Sequence, residues 1–334
     1  MKVLVTGGAG YIGSHMVKLL LENQCEVTVL DNLSTGYAEA IVGGRFILGD
    51  IGDNALLTRL FTENHFDAVM HFAASIQVDQ SITHPSEYYE NNVTKTLALL
   101  NAMVRHQVLS VIFSSSAAVY GEPQYTPVDE NHPKLPINPY GASKWMIEQV
   151  LQHYCTAYLL KSISLRYFNA AGAEPNGVLG SQHWPETHLI PLVLQAASGR
   201  RHSITISGDD YDTPDGTCVR DYIHVNDICQ AHLLAVKQLL SVSCPIVKAY
   251  NLGNGNGYSV KEVIAAAEKI TEKKIAVQKS GRRKGDPAKL TANSSCVKQD
   301  LRWTPQFANL ETIMLHAWNW ENKLRRSSSH QIAA

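Results

Sequence analysis

Apolar residues fall in short continuous runs separated by longer amphipathic stretches, and the two patterns alternate through the first half of the chain. Lys2 to Thr6 predicts a buried strand, and Ser14 to Glu22, with Met16, Val17, Leu19, Leu20 and Leu21, predicts the helix that follows. Glu26 to Leu30 predicts a second strand ending at Asp31, and Arg45 to Leu48 a third. A helix over Asn54 to Glu63, a strand over Asp67 to Phe72 and a helix from about Glu87 to Arg105 continue the series. A strand from Ser110 to Phe113, a helix from about Tyr140 to Tyr158 and a strand from Ser162 to Tyr167 complete it. Such alternation implies a parallel sheet with helices on both faces and ligands at the carboxyl ends of the strands.

The first turn narrows this. Gly7-Gly8-Ala9-Gly10-Tyr11-Ile12-Gly13 joins the first strand to the first helix, and Asp31 follows 18 residues past Gly13. Strand, glycine turn, helix, strand and acidic residue is the order that dinucleotide binding requires. One glycine permits the tight turn, one lets backbone N–H groups approach a pyrophosphate, and the last allows close approach of helix and strand. The pyrophosphate then sits on the positive end of the helix. Asp31 would accept hydrogen bonds from the adenosine ribose, and a carboxylate there repels a 2′-phosphate, so NAD is expected over NADP. The fold class expected is α/β, a Rossmann-type doubly wound parallel sheet with a smaller mixed α/β C-terminal substrate lobe.

After Tyr167 the pattern loosens. Residues 170 to 222 are rich in Gly, Pro, Asp and His, with one helix near Leu189 to Ala197. A helix from about Val225 to Leu239 and a strand from Val247 to Leu252 look regular again. The expected division is an NAD-binding domain over 1–167, with returning segments at about 222–252, and a mainly substrate-binding domain over 168–334. The polar tail from Arg325 to Ala334 is expected to fray.

Composition excludes several classes. Net charge is −1 over 334 residues, so no global basic field draws the chain onto nucleic acid or an anionic membrane. No run of 18 apolar residues predicts a membrane span, and the glycines arrive too early for a signal peptide. The 6 cysteines are scattered without a Cys-x-x-Cys pair, as expected for free thiols in a reducing compartment. A cytoplasmic enzyme is the expectation. Asn-x-Ser/Thr matches at Asn32, Asn92 and Asn293 are read as chance. No His-x-x-x-His pair lies on a predicted helix, so no metal site is expected.

Tyr140-Gly141-Ala142-Ser143-Lys144 places a phenol and an ammonium at i and i+4 on one helix face. A free phenol, with a pKa near 10, is a poor base at neutral pH. A nearby cation lowers that value, and a positive nicotinamide ring adds to the effect. Tyr140 then becomes a candidate general acid–base for an alcohol or sugar hydroxyl. Ser116, beyond the strand that precedes the proline-rich loop, can converge on the same hydroxyl at the carboxyl edge of the sheet. For Ser114 and Ser115 turn chemistry competes with a site role.

The chain resembles the UDP-glucose (UDP-galactose) 4-epimerase family of the extended short-chain dehydrogenases/reductases. The likeness is carried by Thr6–Gly13, Asp31-Asn32-Leu33, Gly49-Asp50-Ile51, His71-Phe72-Ala73-Ala74 and Tyr88–Val93, then by Ser114–Gly121, Pro139–Lys144 and Arg166–Asn169. Pro185–Pro191, Asp215–Val225 and Arg283-Lys284-Gly285-Asp286-Pro287 extend it over nearly the whole chain.

The resemblance implies NAD as a tightly held cofactor, UDP-galactose and UDP-glucose as substrates, and a homodimer. Tyr140 would take the proton from the sugar 4-hydroxyl as C4 gives hydride to NAD. The 4-keto sugar would turn and receive the hydride on its other face. Ser116 would hydrogen-bond the 4-oxygen and Lys144 would tune Tyr140 and reach the nicotinamide ribose. Cofactor contacts would come from Gly7, Gly10, Tyr11, Ile12, Gly13, Asp31, Asn32, Asp50, Ile51, Phe72, Ala73, Ala74, Asn91, Ser114 and Tyr167, besides Tyr140 and Lys144. Asn169, His188, Leu189, Ser207, Arg220, Arg283 and Asp286 would hold the sugar nucleotide with Ser116 and Tyr140. Guanidinium forks suit a pyrophosphate.

The chain also departs from the family pattern. Ile76 stands where some members carry a lysine that contacts the cofactor. Ser207 stands where an aromatic often meets the uracil, and Leu290 where side-chain size gates N-acetylated sugars. UDP-GlcNAc/GalNAc or UDP-pentose epimerisation is therefore the nearest alternative. A nucleotide-sugar dehydratase would need carboxylates where Ser116-Ala117 stands, and a non-catalytic NAD sensor would not need Tyr140 and Lys144.

Overall fold

The computed structural model describes residues 1–283 and 286–332. Lys284 and Gly285 of the motif quoted above, and Ala333 and Ala334 of the tail, lie outside the described residues. The strands are β1 (Lys2–Thr6), β2 (Glu26–Asp31), β3 (Arg45–Leu48), β4 (Ala68–His71), β5 (Ser110–Ser116), β6 (Lys161–Tyr167) and β7 (Asn169–Ala171). They continue with β8 (Ile204–Ser207), β9 (Val219–His224), β10 (Val247–Leu252), β11 (Gly257–Ser259), β12 (Val277–Ser280) and β13 (Lys289–Leu290). The helices are α1 (Tyr11–Glu22), α2 (Asn54–Glu63), α3 (Val78–Thr83), α4 (Pro85–Tyr89), α5 (Lys95–Arg105) and α6 (Pro139–Tyr158). They continue with α7 (Leu189–Ser198), α8 (Val225–Ser241), α9 (Val260–Thr271), α10 (Ser295–Asp300) and α11 (Leu310–Ile332).

A seven-stranded sheet runs in the order β10-β6-β5-β4-β1-β2-β3, and every pairing in it is parallel. Val3, Leu4 and Val5, like Val69 and Met70, are buried on both faces, which is why these strands read as unbroken apolar runs. On one face Met16, Val17 and Leu20 of α1 and Ile228 to Leu239 of α8 close a core against the sheet. On the other, Leu57 and Leu60 of α2, Leu99 and Met103 of α5, and Ile147 and Leu151 of α6 do the same. The strand order reverses between β1 and β4, and a crevice opens there at the carboxyl ends of the strands.

The chain leaves this sheet after β6 and returns to it as β10. Between and beyond, β7, β9, β11 and β13 form a small sheet, and β8 pairs with β12. Helices α7, α9 and α11 gather around a third apolar cluster containing Val193, Val263, Ile313 and Met314.

Three elements differ from the bounds that the sequence pattern predicts. Helix α1 begins at Tyr11 instead of Ser14, because Gly10 already provides its extended N-cap. The helix expected over 87 to 105 divides at a wide π-type turn, Glu90–Thr94, into α4 and α5. The polar tail does not fray at Arg325: the backbone of α11 stays helical to Ile332. Leu310, Ile313, Met314 and Ala317 anchor its start, and extending an anchored helix needs no new nucleus.

Candidate active site

The glycine turn after β1 is as tight as its sequence implies. Gly7 has φ +75°, and a Cβ there would stand 2.4 Å from the Ala73 nitrogen. A Cβ on Gly13 would stand 2.1 Å from the Gly7 carbonyl oxygen, so α1 seats directly on the turn. No side chain caps the N-terminus of α1. Asp31 is buried at the end of β2, and its carboxylate accepts from the Ala9 N–H at 2.9 Å and the Leu33 N–H at 2.8 Å. A turn that only glycine fits, an open helix end and a carboxylate at the next strand together fit a dinucleotide.

These residues line one cavity of about 1740 Å³ with Tyr11, Ile12, Asn32, Phe72, Ala73, Ala74, Asn91, Ser114 and Tyr167. Asp50 and Ile51 stand outside that lining. Asp50 instead accepts from the Asn32 amide and the Lys95 ammonium, each at 2.8 Å, and Ile51 is buried under α2 and α5. Lys95 is the principal partner holding the Asp50 carboxyl below its ordinary range.

Ser116, Tyr140 and Lys144 reach the same cavity from β5 and α6. Helix α6 starts cleanly, with Pro139 in its first turn and the Asn138 side chain accepting from the Gly141 N–H at 2.8 Å. Ser116 caps the short turn Ala117–Tyr120 by accepting from the Ala118 N–H at 3.2 Å, which leaves its own proton to donate. Burial holds the Tyr140 phenol above its ordinary pKa, and the neighbouring Ser116 hydroxyl offsets this only in part. The phenol is therefore not activated by the chain alone, contrary to the expectation drawn from Lys144. The Lys144 Nζ lies 5.8 Å from the Tyr140 ring centroid and donates to the Ser114 carbonyl at 2.9 Å. Burial pulls the Lys144 ammonium down to about 7.

Asn92 ties α6 to Ser75, and Asn91 braces the same serine. Asn92 accepts from the Ser75 N–H at 2.8 Å, donates to the Ser75 carbonyl at 2.9 Å and donates to the Ser143 hydroxyl at 3.2 Å. Asn91 donates to the Ser75 hydroxyl at 3.1 Å. Asn92 was not among the predicted site residues; its signal is the π-type turn, a feature frequent at functional sites.

Asn169, His188, Leu189, Ser207, Arg220, Arg283 and Asp286 line the far side of the cavity, with Ile76 and Leu290. His188 is the N-cap of α7, and no side chain caps that helix end either. Arg220 is already oriented: it donates to the Pro287 carbonyl at 2.7 Å and to Asp286 at 3.3 Å. Sequence reasoning missed Glu186, whose carboxylate accepts from the His188 ring at 2.8 Å, and Gln77, which donates to the Pro185 carbonyl at 3.5 Å.

A parallel sheet with its glycine turn, and a serine, tyrosine and lysine at its carboxyl edge, define a dinucleotide-binding protein of the short-chain dehydrogenase/reductase class. The NAD dependent epimerase/dehydratase family matches residues 3–253, and the chain belongs to that family. It is 50% identical to a UDP-glucose 4-epimerase of Halalkalibacterium halodurans over 97% of this chain and 96% of that protein. The UDP-glucose 4-epimerase of Brucella ovis, solved with NAD, is 45% identical with TM-score 0.92, over 95% of this chain and 97% of that one. That of Bifidobacterium longum, solved with NAD+ and UDP, is 39% identical with TM-score 0.91, over 97% of this chain and 98% of that one. Among the described residues no helix is long and apolar enough to cross a membrane.

Proposed function

We propose that the protein is an NAD-dependent UDP-hexose 4-epimerase that interconverts UDP-galactose and UDP-glucose through a 4-keto sugar. The observation that carries this is one cavity lined at once by the glycine turn, by Ser116, Tyr140 and Lys144, and by Arg220 and Arg283. The N-termini of the longer helices α1 and α7, neither capped by its N-cap side chain, border it and suit the diphosphates of a cofactor and a sugar nucleotide.

NAD, when bound, supplies the hydride acceptor and donor and a positive ring. The chain's own residues do the rest. Gly7, Gly10 and Gly13 leave room for a pyrophosphate against α1, and Asp31 faces the ribose. Tyr140 exchanges a proton with the sugar 4-oxygen, and the Ser116 hydroxyl stands beside both to donate to that oxygen. Lys144, held by the Ser114 carbonyl, fixes the cation beside the phenol. Arg220 and Arg283 take the UDP phosphates, with Asn169, Leu189 and Asp286 around the sugar nucleotide.

Residues 1–167 with about 222–252 carry the cofactor, and the rest of 168–334 carries the sugar nucleotide. The protein works in the cytoplasm as a homodimer. Exposed Met146, Tyr158 and Leu159, on and at the end of α6, are apolar groups that a second copy would cover. Incubation of purified protein with UDP-galactose, without added NAD, is expected to yield UDP-glucose. A panel including UDP-GalNAc and UDP-arabinose sets its range, and no interconversion of any UDP-sugar overturns the reading.

A further inference from the structure

We propose that His183, Glu186 and His188 form a site for a divalent transition metal of the zinc class in the wall of the cleft. The three side chains sit on one loop between β7 and α7, and one ligand-capable atom of each lies within 4.8 Å of the others. The His188 Nδ1 is 2.8 Å from the Glu186 Oε1, and the His183 Nδ1 is 3.9 Å from the Glu186 Oε2. Donor atoms around a tetrahedral zinc, with bonds of about 2.0–2.2 Å, stand roughly 3.3 Å apart. The three donor atoms, all within 4.8 Å of one another, must draw in toward that spacing around a bound metal.

The donor set selects the metal. Two imidazoles and one carboxylate favour zinc, copper, nickel or cobalt, whereas calcium and magnesium want oxygen shells. Three protein ligands leave a fourth position for water. The carboxylate is already oriented, because the Thr187 and His188 N–H groups donate to its Oε1 at 2.9 and 2.8 Å. The Ser181 hydroxyl, 3.0 Å from the His183 Nδ1, can turn to the Glu186 Oε2 at 3.4 Å when a metal takes that nitrogen.

Burial gives the site an inside and an outside. Side-chain exposure rises from 5% at Glu186 through 17% at His183 to 42% at His188. The ring of Tyr11, at the start of α1, stands edge-on to His183 with centroids 6.2 Å apart. A metal here cross-links the loop that walls the cleft and braces it against the glycine turn. The loop spacing explains why a search for helical His-x-x-x-His pairs passes over it.

Titration of the purified holoprotein with Zn²⁺ by calorimetry tests this. One equivalent is expected to bind. Glu186→Gln and His183→Ala are each expected to weaken binding at least about tenfold while keeping bound NAD and the wild-type melting temperature. The exposed thiols Cys244 and Cys296 are the competing zinc ligands, so a Cys244→Ser/Cys296→Ser variant is expected to bind as wild type. Binding only at millimolar zinc, binding unchanged in Glu186→Gln and His183→Ala, or binding lost in the cysteine variant overturns the proposal. The proposal does not depend on turnover: a protein that binds zinc here but converts no UDP-sugar refutes the epimerase reading alone.

Discussion

The ammonium of Lys144 donates to the backbone carbonyl of Ser114 at 2.9 Å, and the lysine is only 3% exposed. An unfolded lysine titrates near 10.4, whereas burial brings this one to about 7. Between those values the unfolded chain binds more protons than the folded one, so this group's contribution to stability rises with pH through that window. In nucleotide-free protein the gain from pH 7 to pH 9 is expected to be about 2 kcal/mol larger for wild type than for Lys144→Met. Urea unfolding at the two pH values measures it, and parallel shifts in both proteins would refute it.

Tyr140→Phe removes the proton acceptor and leaves the ring. Turnover of UDP-galactose is expected to fall by about 10² to 10⁴, with bound NAD, read from the ultraviolet spectrum, unchanged. Loss of NAD along with activity would make Tyr140 a binding residue instead.

Gly13→Ala puts a methyl against the Gly7 carbonyl, at a position where an ideal Cβ comes within 2.1 Å of that oxygen. The turn must open, so the variant is expected to lose NAD on gel filtration and to melt below wild type. An NAD-replete variant would show that α1 can shift without cost.

Arg166 and Glu148 are both nearly fully buried; the guanidinium donates to the carboxylate at 2.5 to 3.2 Å, and Ser115 donates to the same carboxylate at 2.5 Å. Glu148→Ala leaves an unpaired buried cation, with an expected loss of about 3–5 kcal/mol in denaturant unfolding. The double variant Glu148→Leu/Arg166→Met is expected to recover most of it. A double variant as unstable as the single would show that the cost is a cavity and not a charge.

Leu290, on β13 in register with Arg220, lines the cleft. Leu290→Ala is expected to raise turnover of UDP-GlcNAc relative to UDP-glucose, and Leu290→Tyr to lower it. Equal effects on both sugars in a steady-state assay would place the N-acetyl group elsewhere.

The strands of the large sheet were legible because a parallel strand buried on both faces writes an unbroken apolar run, as Val3–Val5 and Val69–Met70 do. The glycine turn and the Tyr140–Lys144 pair were legible because their geometry is local. Asn92 was not, because its partners, Ser75 and Ser143, are 17 and 51 residues away. The pairing of β8 with β12 and the short β13 have no local signature, since each is set by contacts across more than 60 residues. The i,i+4 spacing shows the cation beside Tyr140 and not the burial that raises its pKa in the nucleotide-free chain.

The large sheet is finished by a strand that the chain makes late. Residue 167 ends β6, yet β6 acquires its outer neighbour only with Val247–Leu252. During synthesis β6 therefore has no outer strand to pair with until some eighty further residues have emerged. The intervening segment, which supplies Asn169, His188, Leu189, Ser207 and Arg220, is made in that interval. The large sheet is thus completed only after the segment that lines the far side of the cleft has been made.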